Sequence, residues 1–133
     1  MAGKTWTHDE EKLKAIAERA DRETRARRLE LERALRERVG QAREEVARLV
    51  REIHAADPGV RRIVLFGSLA RNSVKRLSFD IDLAVDSDHY LLLTDVALES
   101  PFKVDLVDLT SCSEYVAETV ERDGVELYRA EQG

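Results

Sequence analysis

Two aspartates, Asp80 and Asp82, stand two residues apart in the run Phe79 to Val85 (FDIDLAV), where Phe79, Ile81 and Leu83 alternate with Asp80, Asp82 and Ala84. On an extended strand such residues share a face at about 6.5 to 7 Å between Cα atoms, which lets two carboxylates share metal ions. An acidic pair set against Phe, Ile and Val repels itself and is costly to ionise without a compensating cation, so a Mg2+ site is the economical account. By itself the D-x-D pattern is a weak signal, because it also occurs by chance on edge strands. A second signal precedes it: Gly67-Ser68 closes the apolar run Val60 to Phe66 (VRRIVLF). Glycine lets backbone amides approach a phosphate, the start of the following helix favours anions, and Ser68 adds a hydroxyl donor. The same dipeptide also suits a plain turn with an N-cap.

These residues need elements to hold them. Val60 to Phe66 reads as a strand, Leu69 to Val74 as a short helix and Phe79 to Val85 as a second strand. Ser87 caps a short helix through Tyr90, Leu93, Val96 and Ala97; Ser100-Pro101 ends it before a third strand, Lys103 to Leu109 (KVDLVDL). Ser111 or Ser113 caps a final helix closed by Gly124, and Val125 to Tyr128 adds an edge strand or a packed tail.

Upstream, no Gly or Pro interrupts the chain between Lys4 and Val39, and strong helix formers dominate, with Thr7 or Asp9 as the cap. Val39, Val46 and Ile53, together with Leu35, Ala42 and Leu49, form a heptad seam that must pack on something. Leu13, Ile16, Ala17 and Ala20 make another stripe, out of phase with the first, so the helix consists of two linked halves. The second half is expected to cover the open face of the sheet. A helix from Asp9 to Ala56 would be on the order of 70 Å long, so part of it is expected to project or to fold back near Gly40. Asp57-Pro58-Gly59 ends it. The expected organisation is a long charged amphipathic helical segment over 1–56 and a globular domain over 57–133.

Composition narrows the classes. Within 133 residues, 37% are charged and 5% aromatic, which fits one domain with a solvated helical appendage. The net charge of -5 is uneven: from Ile53 onward 8 basic residues face 15 acidic ones, an excess of seven negative charges that argues against general nucleic-acid binding. The single cysteine, Cys112, can make neither an intramolecular disulfide nor a zinc site of the usual spacing. With no membrane-length apolar run and no signal-like start, the chain is expected to be soluble, cytoplasmic and without membrane attachment.

The ordered motifs L-F-G-S-L-A-R, S-x-D-I-D-L-A-V and V-D-L-V-D-L resemble the minimal nucleotidyltransferases (MNT-type, antitoxin-like) of the DNA polymerase β superfamily, whose pattern is G-S-x-A-R-G, S-D-x-D and a third Asp. The likeness covers roughly Val60 to Tyr128. It implies an α+β fold, a small mixed sheet flanked by helices, preceded here by the long helix or a helical hairpin. It implies that Gly67 and Ser68 bind the β- and γ-phosphates of ATP or another nucleoside triphosphate. It implies further that Asp80, Asp82 and Asp105 hold two Mg2+ ions, with Arg71 supporting phosphates or pairing with an acid. The implied activity is transfer of a nucleoside monophosphate, AMP from ATP, to a hydroxyl of a small helical HEPN-type toxin partner. A homodimer through the N-terminal helix is the other association expected.

Two departures bear on that expectation. Asn72 stands where the family commonly has Gly, and Phe79 separates Ser78 from Asp80. Asn tolerates left-handed backbone, so the first is mild; the second leaves the Asp80–Asp82 spacing intact but shifts Ser78. The alternative is therefore a catalytically idle antitoxin acting by contact through the N-terminal helix. Modification of a small molecule such as an aminoglycoside fits less well, because those relatives carry a larger C-terminal domain. Asp108 reads as a strand-end turn residue, Lys75 and Arg76 as solvated loop charges, and Trp6 and Tyr90 as packing or contact residues. Cys112 reads as an inert thiol, and His8, His54 and His89 share no ligand spacing.

Overall fold

The computed structural model describes residues 7–131, so Trp6 lies outside the described residues. Helix α1 runs His8–Ala56. Thr7 caps it reciprocally: the Glu10 N–H donates to Thr7 Oγ1 and the Thr7 N–H to the Glu10 carboxylate, both at 3.1 Å. α1 passes Gly40 without a break, which sets aside the hairpin and the fold-back. One glycine costs a helix only about 1 kcal/mol relative to alanine, and strong helix formers flank it.

The chain forms two compact units, Met1–Arg36 and Glu37–Gly133. In the first, Arg19, Glu23 and Arg27 make i,i+4 ion pairs along α1, while Leu13, Ile16, Leu29 and Leu31 are exposed.

The second unit is built on a sheet of four strands, β1 (Arg62–Phe66), β2 (Ile81–Asp86), β3 (Val104–Asp108) and β4 (Val125–Arg129), in the order β3-β2-β1-β4. β1 pairs antiparallel with β2 and β4, and β2 pairs parallel with β3. Between strands lie α2 (Gly67–Ala70), α3 (Tyr90–Leu98) and α4 (Glu114–Asp123). The heptad seam of α1 lies on one face of the sheet: Ala42, Val46, Leu49 and Ile53 are buried in one core with Ile63, Leu65, Ile81, Leu83 and Val85. The seam thus covers the sheet, as its apolar period requires. On the opposite face Val120 of α4 packs with Val64 and Ala84, flanked by Phe66 and Val107. Strand alternation places Asp82 and Asp105 on this second face, in line with Ala84 and Val107.

Some boundaries differ from expectation for local reasons. β1 starts at Arg62 because Asp57 organises the preceding turn: the Gly59 N–H donates to its Oδ1 at 3.0 Å and the Val60 N–H to its carbonyl at 3.0 Å. α2 begins at Gly67 rather than Leu69 and ends at Ala70, followed by Asn72 at φ +55°. Phe79 and Asp80 precede β2 instead of opening it, and the Phe79 ring sits 6.3 Å from that of Phe102. α4 is capped by Ser113, whose Oγ accepts from the Val116 N–H at 3.2 Å, and closed by Gly124. Tyr90 packs on the core and donates to the Leu106 carbonyl at 2.5 Å, and His54 meets Tyr128 edge-on. Cys112 is half-buried. No helix of the described residues is long and apolar enough to cross a membrane.

Candidate active site

The site forms at one end of the α4-bearing face, where β1 stops and β2 and β3 start. β1 and β2 register pairs Phe66 with Asp82, so the next residue, Gly67, lies beside the Asp82 carboxylate. Gly67 has φ +77°, and a Cβ built there would stand 2.1 Å from Asp82 Oδ2 and 3.0 Å from its Cγ. Both the backbone sign and the space demand glycine. The chain turns at once into α2, leaving Ser68 half-buried at its second residue.

The parallel pairing of β2 with β3 brings Asp105 into register with Asp82. Asp80 stands two residues before Asp82. Asp82 is partly buried and Asp105 exposed. Burial, first, and then the charges of Asp105 and Asp80 push the Asp82 carboxyl up to about 6; a hydrogen bond with Asp105 adds to the rise and Arg71 opposes it. That is the signature of carboxylates crowded without enough positive charge among them. The carboxylate oxygens of Asp80, Asp82 and Asp105 are hard donors, the kind that Mg2+ takes. They do not yet form a closed cage. Among the described residues no three acidic, His or Cys side chains are gathered in ligand geometry, and Asp80 Oδ2 instead lies 3.4 Å from Lys103 Nζ.

Arg71 follows α2 and pairs with Asp123 at 3.9 Å, an acid that also holds Arg122 at 3.1 Å. Of the residues singled out from sequence, Asp80, Asp82, Asp105, Gly67 and Ser68 therefore come to one sheet end, with Arg71 near enough to act on the charge of Asp82. Asp108 lies elsewhere: its Oδ1 accepts from the Thr110 N–H at 2.9 Å and hydroxyl at 2.7 Å, and its Oδ2 from Ser111 Oγ at 3.2 Å, which hold its carboxyl below the usual range. Sequence reasoning missed Lys103 and Asp123. A Lys two residues ahead of Asp105 was visible in the sequence, whereas nothing local marks Asp123. Two cavities lie away from the aspartates: an apolar one of about 380 Å3 between α1 and the edge strand, lined by Val46, Val50, Leu65 and Leu127, and a more polar groove beside Ser87, His89 and Thr110.

Residues 49–133 match the protein family described as polymerase beta, nucleotidyltransferase. No curated protein sequence matches the chain. Among solved structures, the chain is similar to one of a toxin–antitoxin with AMP-PNP, at 29% identity over 66% of this chain and 73% of that one, with a TM-score of 0.50. It is also similar to a mutant of the toxin–antitoxin MntA-HpeT in which two aspartates two residues apart are replaced by glutamate. There the identity is 27% over 66% of this chain and 73% of that one, with a TM-score of 0.51. A tri-AMPylated Shewanella oneidensis HEPN toxin in complex with MNT antitoxin gives 27% identity over 69% of this chain and 73% of that one, with a TM-score of 0.46.

Proposed function

Since the chain belongs to the polymerase β nucleotidyltransferase family, we propose that it transfers AMP from ATP, with Mg2+, to a hydroxyl of a partner protein, as the antitoxin of a pair with a small helical HEPN-type toxin. The observation that carries this reading is the lateral pairing of Asp82 with Asp105 beside a glycine where any larger residue would be strained and crowded against the Asp82 side chain. The AMP-PNP-bound neighbour supports the nucleotide, and the neighbour altered at two aspartates shares the i, i+2 spacing of Asp80 and Asp82.

In this reading the backbone of Gly67 and the hydroxyl of Ser68 hold the β- and γ-phosphates, and Arg71 leaves Asp123 to support them. Asp80, Asp82 and Asp105 would hold Mg2+, which would supply positive charge against that developing at the α-phosphate. The acceptor oxygen bonds to the α-phosphorus, the bond to the oxygen bridging to the β-phosphate breaks, and pyrophosphate leaves with that electron pair. Asp105, the exposed carboxylate, meets the incoming hydroxyl and takes its proton.

The test is ATP labelled at the α-phosphate, given with Mg2+ to the chain together with its helical partner. Label on the partner, absent with Asp80→Asn/Asp82→Asn, supports the reading. Equal labelling by that double variant sinks it. A second reading, neutralisation by contact alone, is favoured by one observation: Leu13, Ile16, Leu29 and Leu31 of α1 stand exposed. It predicts neutralisation that survives the double variant and is lost when residues 1–36 are removed.

A further inference from the structure

Resting on the phosphate-binding role given above to Gly67 and Ser68, we infer that Arg43 is a positioning residue for that turn, acting through Leu69 and Asn72. α2 spans only Gly67–Ala70, and its backbone bonds, Arg71 N–H to the Gly67 carbonyl at 3.1 Å, Ser73 N–H to the Ser68 carbonyl at 2.9 Å and Asn72 N–H to the Leu69 carbonyl at 3.4 Å, all stay within the turn. Its placement must therefore come from outside. Leu69 sinks its side chain into the core, and Arg43 crosses from α1 to grip the backbone: its Nη2 donates to the Leu69 carbonyl at 3.1 Å and to Asn72 Oδ1.

Arg43 is well placed for this. It follows Ala42, which is fully buried, and precedes buried Val46, so the packed seam pins its backbone while its guanidinium reaches beyond the seam. Asn72 has φ +55°, a conformation that disfavours most side chains. A guanidinium on its side-chain oxygen is a tie that glycine at this position could not offer, because glycine enters the left-handed region freely but leaves nothing to hold. Charge-assisted hydrogen bonds are stronger than neutral ones, and two acceptors on one guanidinium nitrogen fix both the end of α2 and the turn after it. The structure thus uses α1 to set where the Gly67 and Ser68 end of α2 points.

Arg43→Met keeps the aliphatic stem and removes both hydrogen bonds. Calorimetry with Mg2+ and ATP on the full chain is expected to show about tenfold weaker binding, equal to about 1.4 kcal/mol. Amide exchange at Arg71, Asn72 and Ser73 is expected to accelerate while β1 and β2 stay protected. Arg43→Lys, which retains a cation but stops short of the reach of Nη2, recovers part of both effects. In an Asn72→Gly background the Arg43→Met penalty is expected to shrink to below about threefold, since one acceptor is gone. Unchanged exchange in Arg43→Met overturns the inference, as does unchanged binding where the wild type binds. Loss of protection throughout the sheet also overturns it, because Arg43 would then serve the whole fold. Wild type that binds no ATP sinks the functional reading instead, and the exchange measurement still decides the role of Arg43.

Discussion

Replacing Gly67 with alanine tests the geometry of the site at its tightest point. The added methyl stands 2.1 Å from Asp82 Oδ2, 3.0 Å from Cγ and 3.2 Å from Cβ, so the contact reaches back along the side chain, and rotating the carboxylate cannot relieve all of it. Strand β2 fixes the Asp82 backbone through its pairing with β1 and β3. Two costs add. A non-glycine residue at φ +77° costs roughly 1 to 2 kcal/mol, and forcing a methyl into an occupied position costs typically about 1 to 3 kcal/mol. The sum, about 2 to 5 kcal/mol, is a large part of the stability of a domain this size. In thermal unfolding it appears as a drop of about 3 to 5 °C for each kcal/mol. Displacement of Asp82 by even about 1 Å is expected to cut catalysis about a hundredfold in any variant that still folds. Gly40 supplies the opposite case: it lies within α1 and nothing stands within 4 Å of a Cβ built there. Gly40→Ala is expected to raise stability by about 0.5 to 1 kcal/mol. A Gly67→Ala protein that melts with wild type and binds Mg2+ and ATP normally would refute the placement of Asp82 behind the turn.

Other consequences follow from the same contacts. With the Asp82 carboxyl raised to about 6 from an ordinary 3.8, the folded state holds its proton more tightly than the unfolded one. Its contribution to stability is full below about pH 4 and lost as pH rises through about 6. Without Mg2+, Asp82→Asn is therefore expected to be more stable than wild type at pH 7.5 and equal to it near pH 4, as read by urea unfolding at both values. Adding Mg2+ at pH 7.5 is expected to raise the midpoint of wild type but not that of the variant, by linkage to a bound ligand. Leu49, fully buried in the seam, is expected to cost about 2 to 5 kcal/mol when changed to alanine. Removal of residues 1–36 is expected to leave Glu37–Gly133 folded, because the seam residues buried against the sheet all lie beyond the cut; circular dichroism and cooperative melting check it.

What could be seen in the sequence was local. Alternation around Asp80 and Asp82, the break at Gly67, the cap at Ser113, the stop at Gly124 and the heptad spacing from Leu35 to Ile53 are each set by neighbours a few residues away, and periods of 2 and 3.5 expose them. Longer-range facts were not visible. Asp105 could be matched to a family motif, but its register opposite Asp82 depends on β2 and β3 running parallel. That Gly67 must be glycine depends on a carboxylate fifteen positions later, as well as on its own φ. The Lys103 contact with Asp80 and the Arg71 contact with Asp123 are likewise products of folding. The end of α2 was misplaced because a four-residue helix has no period to read; Asn72 in the left-handed region marks its exit.

The register of Asp82 and Asp105 also says something about tolerance to change. Two carboxylates carried by adjacent strands inherit their lateral separation from the sheet itself, about 4.8 Å between backbones, as atoms in a crystal inherit a lattice constant. The segment between them, from Ser87 through α3 to Lys103, therefore takes no part in setting that distance. Leu93, Ala97 and Phe102 of that segment are buried, so it is the exposed residues, among them Leu91, Leu92 and Leu98, that can change character while the spacing of the two aspartates stays constant.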